Sequence, residues 1–396
     1  MPITSPKPTR ESSQGPDTGE RVSALRLSVV IPCLNEAENI EPCVASARAA
    51  MARLGLAGEV IVADNGSEDG SAELAELAGA RVVREPSRGY GSAYQAGFAA
   101  ARGEYIVMAD ADQTYDFDDI PRFLAGLEDG ADMVVGDRMS NIQPGAMPWH
   151  HRYIGNPLLS GLLNFLFHTG VSDAHCGMRA FRRDRLEVLA LRTTGMEFAS
   201  EMVVRAARER LDIREIPITY HPRSGESKLS SFRDGWRHVR FLLLHSPNHL
   251  FILPGALMAL LGTLISLTVL ARVPVLQRRW DLHALIGGSL LTIIGAQLVG
   301  LGLCAHAYAT DFMGMRDAWF DRARSRWRLE HGLMLGSLVA LAGLALLAII
   351  VVDWIGRGFG SLSQERMAIF AAALLVLGIQ IVFSSFLLSI LGLRRG

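Results

Sequence analysis

Tyr105-Ile106-Val107-Met108-Ala109-Asp110-Ala111-Asp112 reads as a buried strand that runs out into two carboxylates. An apolar stretch of this length suits a strand covered on both faces. Asp110 and Asp112, at i and i+2 of the following turn, can both reach one hard divalent cation. Magnesium and manganese take one or two carboxylates together with substrate phosphates. A cation bridging a diphosphate neutralises the charge that builds on a leaving group. The same D-x-D also describes a solvated acidic turn, so its meaning rests on the neighbouring segments.

On either side of this strand the chain alternates short β-branched runs with amphipathic stretches. The strand candidates are Leu27–Pro32, Glu59–Ala63, Ala80–Arg84 and Met133–Gly136; the helix candidates are Glu38–Leu54, Ser71–Ala78, Tyr90–Arg102 and Phe117–Glu128. The alternation predicts an α/β fold with a largely parallel sheet flanked by helices. Ligands of such sheets sit beyond the carboxyl ends of the strands. Two other strand ends carry polar loops, Ile31-Pro32-Cys33-Leu34-Asn35-Glu36 and Asp64-Asn65-Gly66-Ser67-Glu68-Asp69-Gly70. Three acidic loops after three strands predict a single site.

Lys and Arg (39) nearly balance Asp and Glu (40), which argues against a nucleic-acid partner gripped by its phosphates. The cysteines, Cys33, Cys43, Cys176 and Cys304, have no metal-like spacing and fit a reducing, cytoplasmic setting. Residues 1–26 are rich in Ser, Pro, Thr and charge without an apolar core; they read as a disordered segment and not as a secretory signal. A catalytic domain is expected over 27–228, followed over 229–249 by basic and aromatic residues, such as Phe232, Arg233, Trp236 and Arg237, interleaved as in a helix lying in a membrane interface. Four apolar runs follow at about 250–271, 284–308, 332–352 and 368–392, each reaching the ~20 residues needed to cross a bilayer. Arg316, Arg322, Arg324, Arg326 and Arg328 between the second and third runs put that loop, and with it the soluble domain, on the cytoplasmic side. The expected location is a bacterial inner membrane. Four spans exceed what an anchor needs, which leaves room for a partner membrane protein or a homo-oligomer.

Together with Arg88-Gly89-Tyr90-Gly91, Gly136-Asp137-Arg138 and Gly225-Glu226-Ser227-Lys228, these loops resemble family 2 glycosyltransferases. More narrowly they resemble the dolichol-phosphate mannosyltransferase branch and its bacterial polyprenyl-phosphate relatives. The resemblance implies a GT-A fold and an inverting transfer from a nucleotide-sugar donor to a lipid-phosphate acceptor at the membrane. It implies Asp110 and Asp112 at the metal (Mg2+ or Mn2+) and diphosphate, with the Ala111 backbone beside them. Pro32, Leu34, Glu36 and Ala63 would line the nucleotide, with Asp64 and Asn65 near its base. Arg138 and Arg152 would hold the acceptor phosphate through their bidentate forks. Arg223 and Lys228 would close over the donor. The chain departs from the family where a second acidic residue beside the base is replaced by Asn65. A carboxamide offers a donor and an acceptor, which suits uracil better than guanine and favours a UDP-sugar over a GDP-sugar. Thr114 also stands where the family often has glutamine, with Gln113 one position early.

Two other readings remain open at this stage. A glycolipid or saccharide hydroxyl acceptor would require a base, for which Glu201 is the first candidate and Glu197 the second. A non-catalytic scaffold or transporter subunit would leave the acidic loops without a purpose. His150-His151 and Asp173-Ala174-His175-Cys176 lack the spacing of a zinc site.

Overall fold

The computed structural model describes residues 25–224, 231–274, 277, 280–312, 320, 322, 328–359, 361 and 364–392. The expected disordered segment before Leu25, and the segment with Lys228, lie outside these residues.

The first apolar runs form the centre of a sheet. β1 (Leu27–Cys33), β2 (Gly58–Asp64), β3 (Arg81–Arg84) and β4 (Tyr105–Met108) are parallel, in the order β3-β2-β1-β4. Val29, Val30 and Ile31 of β1 and the whole of β4 are buried, as continuous apolar strands between helix layers must be. α1 (Ile40–Arg53), α2 (Ser71–Leu77), α3 (Tyr90–Ala100) and α4 (Ile120–Glu128) connect or follow these strands. α4 shows why: Ile120, Phe123, Leu124 and Leu127 recur at helical spacing and all are buried, while Pro at its first turn and Asp119 before it favour the start.

The other half of the sheet is mixed, not parallel. β5 (Met133–Asp137) pairs parallel with β7 (Ile213–Pro217), but β6 (Arg179–Arg182) lies antiparallel between β4 and β5. Arg-Ala-Phe-Arg is too short and too charged to announce a strand. What stabilises it is tertiary: the fully buried Arg179 guanidinium donates to the carbonyls of Cys176, Ala174 and Ala199, so its polar atoms are satisfied without water.

α5 (Asn156–Phe167), the short α6 (Leu186–Leu189), α7 (Phe198–Arg208) and α8 (Ser231–Leu244) complete this part. Four helices long and apolar enough to cross a membrane follow among the described residues: Asn248–Leu270, Leu282–Thr310, Leu329–Gly356 and Glu365–Leu391. Their glycines set the packing. A Cβ at Gly295 would strike the Gly255 carbonyl and Ala259, and one at Gly378 would strike the Gly336 carbonyl and Ala340. The first helix therefore closes on the second and the third on the fourth by small-residue contact, the usual way apolar helices associate where no hydrophobic driving force separates them from lipid.

Candidate active site

Beyond the carboxyl ends of β1, β2 and β4 lies a cavity of about 1250 Å³. Its floor is the Asp110–Asp112 turn. Asp110 Oδ1 accepts from the hydroxyls of Tyr90 (2.9 Å) and Tyr94 (3.1 Å). Burial and the neighbouring Asp112 push the Asp110 carboxyl up to about 6. Asp112 Oδ1 accepts from the Thr114 hydroxyl (2.6 Å) and amide (3.2 Å), so the threonine in the family's glutamine position orients the second carboxylate. Gln113 turns away with φ +59° and donates to Asn39 Oδ1. Arg223 Nε stands 3.4 Å from Asp112 Oδ2, and its Nη2 is 4.0 Å from Glu36 Oε1; the buried Nε has no hydrogen-bond partner. Two carboxylates crowded into a buried turn fit a divalent cation, which would offset their mutual repulsion and needs few other protein ligands when phosphates complete its shell. Among the described residues no cluster of three or more His, Cys, Asp or Glu offers a complete metal cage.

The loops after β1 and β2 are tied to each other. Ser67 Oγ accepts from the Asn35 amide, Asn35 Oδ1 from the Glu68 amide, and Asp69 Oδ2 from the Ala37 amide. This brings Pro32, Leu34, Glu36 and Asn65 to the cavity wall together with Asp110, Ala111 and Asp112. Ala63 and Asp64 sit behind it, buried and outside the lining. Asp64 Oδ1 accepts from the Ser67 amide and shapes the turn.

Asn65 does not do what its side chain suggested. Its Nδ2 donates to the carbonyls of Glu85 and Ser87, and its Oδ1 accepts from the Gly89 amide. The carboxamide is occupied in stapling the loop before α3, and the preference for uracil argued from it loses its basis. Gly89 and Gly91 have a structural reason: a Cβ at either would strike the carbonyls of Thr194 or Thr193, and the Thr194 carbonyl accepts from the Gly91 amide.

Glu201 is likewise corrected as a base. It is buried outside the cavity lining, accepts from the amides of Arg192 and Thr193 and the Thr193 hydroxyl, and pairs with Arg205 at 3.3 Å. Its carboxylate holds the Arg192–Thr194 loop against α3. Glu197 does not line the cavity either.

Much of the remaining lining is basic and apolar. Arg138 lines it, buried, with Nε and Nη2 donating to Asp173 at 2.7 and 2.8 Å and its guanidinium 5.2 Å from the centre of the Tyr220 ring. Against the cost of burial, Arg138 holds the Asp173 carboxyl below its ordinary value. Arg152 is off the lining, its guanidinium 5.3 Å from the Tyr153 ring centre, while its neighbours His150 and His151 face the cavity. α8 adds Phe232, Arg233, Arg237 and His238 to the wall.

The sequence reading missed several of these groups. Tyr90, Tyr94 and Asp173 lie far along the chain from their partners. It also missed an exposed apolar collar on α5 and the turn before it: Trp149 (68% exposed), Tyr153, Ile154, Leu158 and Phe165. α5 packs on α8, where Phe232 is 90% exposed and Trp236 is also exposed. The Phe165 ring lies 5.3 Å from that of His249 at the head of the first apolar helix. Asn-Pro-Leu-Leu-Ser-Gly-Leu-Leu-Asn-Phe-Leu-Phe is apolar nearly all round, a signal that could have marked a helix meant for something other than water.

A family model described as "Glycosyl transferase family 2" matches residues 28–189. A second, "Glycosyltransferase family 2 C-terminal transmembrane region", matches residues 303–392. The chain is 44% identical over 371 residues to the low-salt glycan biosynthesis hexosyltransferase Agl6 of Haloferax volcanii, covering 93% of this chain and 90% of that protein. It is 36% identical over 212 residues to the dolichyl-phosphate hexose transferase of the same organism, covering 53% and 89%. It is 29% identical over 293 residues to the undecaprenyl-phosphate 4-deoxy-4-formamido-L-arabinose transferase of Salmonella dublin, covering 70% and 86%. A GT-A-like α/β domain with its acidic turn at the strand ends, followed by a membrane-integral helical region, is thus accounted for along nearly the whole chain: it belongs to glycosyltransferase family 2 and is a hexosyltransferase of the membrane.

Proposed function

We propose that this enzyme transfers a hexose from a nucleotide-sugar to a polyprenyl phosphate, on the side of the membrane that bears the α/β domain. The observation that carries the reading is one cavity whose lining holds the Asp110–Asp112 pair with Arg223 beside it, and also Arg138 and α8, next to an exposed apolar collar. The names of the two lipid-phosphate sugar transferases among the relatives point the same way.

In this reading Asp110 and Asp112 would hold Mg2+ or Mn2+, which would supply positive charge beside a departing diphosphate. Tyr90, Tyr94 and Thr114 fix the two carboxylates. Arg223, which lines the cavity beside Asp112 and Glu36, donates to a diphosphate oxygen, a match its fork makes well. Arg138, held in place by Asp173, aims the acceptor phosphate. A phosphate oxygen attacks the anomeric carbon, the bond to the nucleoside diphosphate breaks, and a hexosyl phosphate ester forms on the lipid. The nucleophile is already anionic at neutral pH, so no base is needed, consistent with Glu201 lying outside the cavity lining. The collar lies in the interface and brings the cavity mouth to the depth at which a lipid phosphate emerges.

The test is transfer of radiolabelled UDP- and GDP-hexoses to undecaprenyl or dolichyl phosphate in membranes containing the protein. The expected result is a mild-acid-labile glycolipid that requires Mg2+ or Mn2+ and falls at least ~100-fold in Asp112→Ala. Label appearing only in an acid-stable glycolipid would move the acceptor to a hydroxyl, and no label in any lipid would overturn the reading.

A further inference from the structure

Gln297 and Gln380 stand near the middles of the second and fourth apolar helices, Leu282–Thr310 and Glu365–Leu391. These two helices pack on each other and leave between them a second cavity, of about 460 Å³. Gln297, Gly300 and Cys304 line it from one helix, and Gln380, Phe383 and Ser384 from the other. Gly300 permits the approach: a Cβ there would stand 3.1 Å from Ser384 Oγ. With Gly300 beside Ser384, the two carboxamides one turn earlier lie at one depth. The groove faces outward, since Leu301 and Phe383 on its rim are exposed, Phe383 by 68%.

The carboxamides do not satisfy each other. Gln380 Nε2 is covered by the packing and has no hydrogen-bond partner. Gln297 is exposed, and among the described residues its side chain makes no hydrogen bond. In water such a glutamine is solvated. In the middle of a bilayer no water stands in for the missing partner, and an unsatisfied amide is costly. Lipid tails offer neither a donor nor an acceptor, whereas a polar side chain on another helix offers both.

Symmetry narrows which helix that is. Copies of one chain insert in the same orientation, so a twofold axis between two of them runs along the bilayer normal and keeps every residue at its own depth. A carboxamide carries a carbonyl acceptor and N–H donors. Gln297 is therefore its own complement, each oxygen accepting from the nitrogen of the other copy. The same axis brings the protruding Phe383 to the level at which the other groove is lined by the small residues Gly300 and Ser384.

We propose that the face formed by the second and fourth apolar helices is a homodimer interface, centred on a reciprocal hydrogen bond between the Gln297 side chains of two copies. It stands apart from the cavity of the α/β domain and from the chemistry assigned there.

The test uses the full chain in phosphatidylcholine vesicles over a range of protein-to-lipid ratios, with the dimer fraction read by single-molecule photobleaching. The wild type should dimerise. Gln297→Leu keeps the bulk and removes the hydrogen bond, and should weaken dimerisation about tenfold, the effect of one interhelical hydrogen bond. Proximity is read separately in a Cys304→Ser background, in which the remaining native cysteines are buried. There Gln297→Cys should form an intermolecular disulfide on oxidation, and Leu338→Cys, exposed on the third apolar helix, should not. A wild type that stays monomeric at every ratio, dimerisation unchanged in Gln297→Leu, or cross-linking as strong in Leu338→Cys as in Gln297→Cys would overturn the inference. None of these outcomes touches the transfer reaction.

Discussion

At the residue scale, the site is governed by side chains whose polar atoms are already engaged. Asn65 is the clearest case. Two backbone carbonyls face its Nδ2, and a carboxylate cannot donate to either. Asn65→Asp is therefore expected to weaken UDP- and GDP-hexose transfer alike, by about tenfold, without exchanging one for the other; comparing KM for both donors checks it. Asp110 is a second case. Burial and Asp112 push its carboxyl up to about 6, so its charge at neutral pH costs stability until a cation arrives. Asp110→Asn keeps an acceptor for Tyr90 and Tyr94; it should raise the thermal midpoint in EDTA by about 2–4 °C while abolishing transfer, and added Mn2+ should shift only the wild type. Asp173 behaves in the opposite sense. Arg138 depresses its carboxyl despite burial, so the pair contributes stability that is complete above the unfolded carboxylate range near ~4 and is lost as pH falls through the lower folded value. Asp173→Ala leaves a buried guanidinium unpaired and should cost about 3–5 kcal/mol at neutral pH, with a flatter loss on acidification than the wild type in denaturant titrations.

At the scale of elements, the order of strands places the acidic loops and helix surfaces place the lipid. β1 lies between β2 and β4, so the loops leaving these three strands share one rim, as parallel strands with right-handed crossovers require. α5 and α8 carry their aromatic residues outward, which in water would be an unsatisfied patch and in an interface is an anchor. Changing Tyr153 and Trp236 to Glu should leave transfer to a short, water-soluble prenyl phosphate within about twofold and reduce transfer to a long-chain acceptor in vesicles by tenfold or more. Parallel assays with the two acceptors decide it; equal loss on both would make the residues structural.

At the scale of the whole molecule, the cavity lies at the carboxyl ends of a mixed sheet and is walled by α8, and two helix hairpins locked by glycines follow in the chain. By the positive-inside rule the loop between the second and third apolar helices, with its five arginines, is expected together with the α/β domain on the side that retains positive charge. A single cysteine introduced between the third and fourth helices should react with an impermeant maleimide from outside intact cells, and one introduced between the second and third should not.

Much of this was legible in the chain. The period of the apolar residues identified the parallel half of the sheet and the four apolar helices, because burial on both faces and burial in lipid each leave a continuous signature. Asp110 and Asp112 stood out because they are neighbours in sequence. Whatever depends on partners distant in the chain was not legible. β6 exists because Arg179 finds three carbonyls, and Glu201 reads as a base until its carboxylate is seen holding Arg192 and Thr193. The sequence by itself determined the parallel half of the sheet with its helices and the four apolar helices, since hydrophobic period is a local property. Only the tertiary structure decided which polar atoms are already satisfied and which are left for a ligand, because a hydrogen bond depends on distance in space and not on distance along the chain.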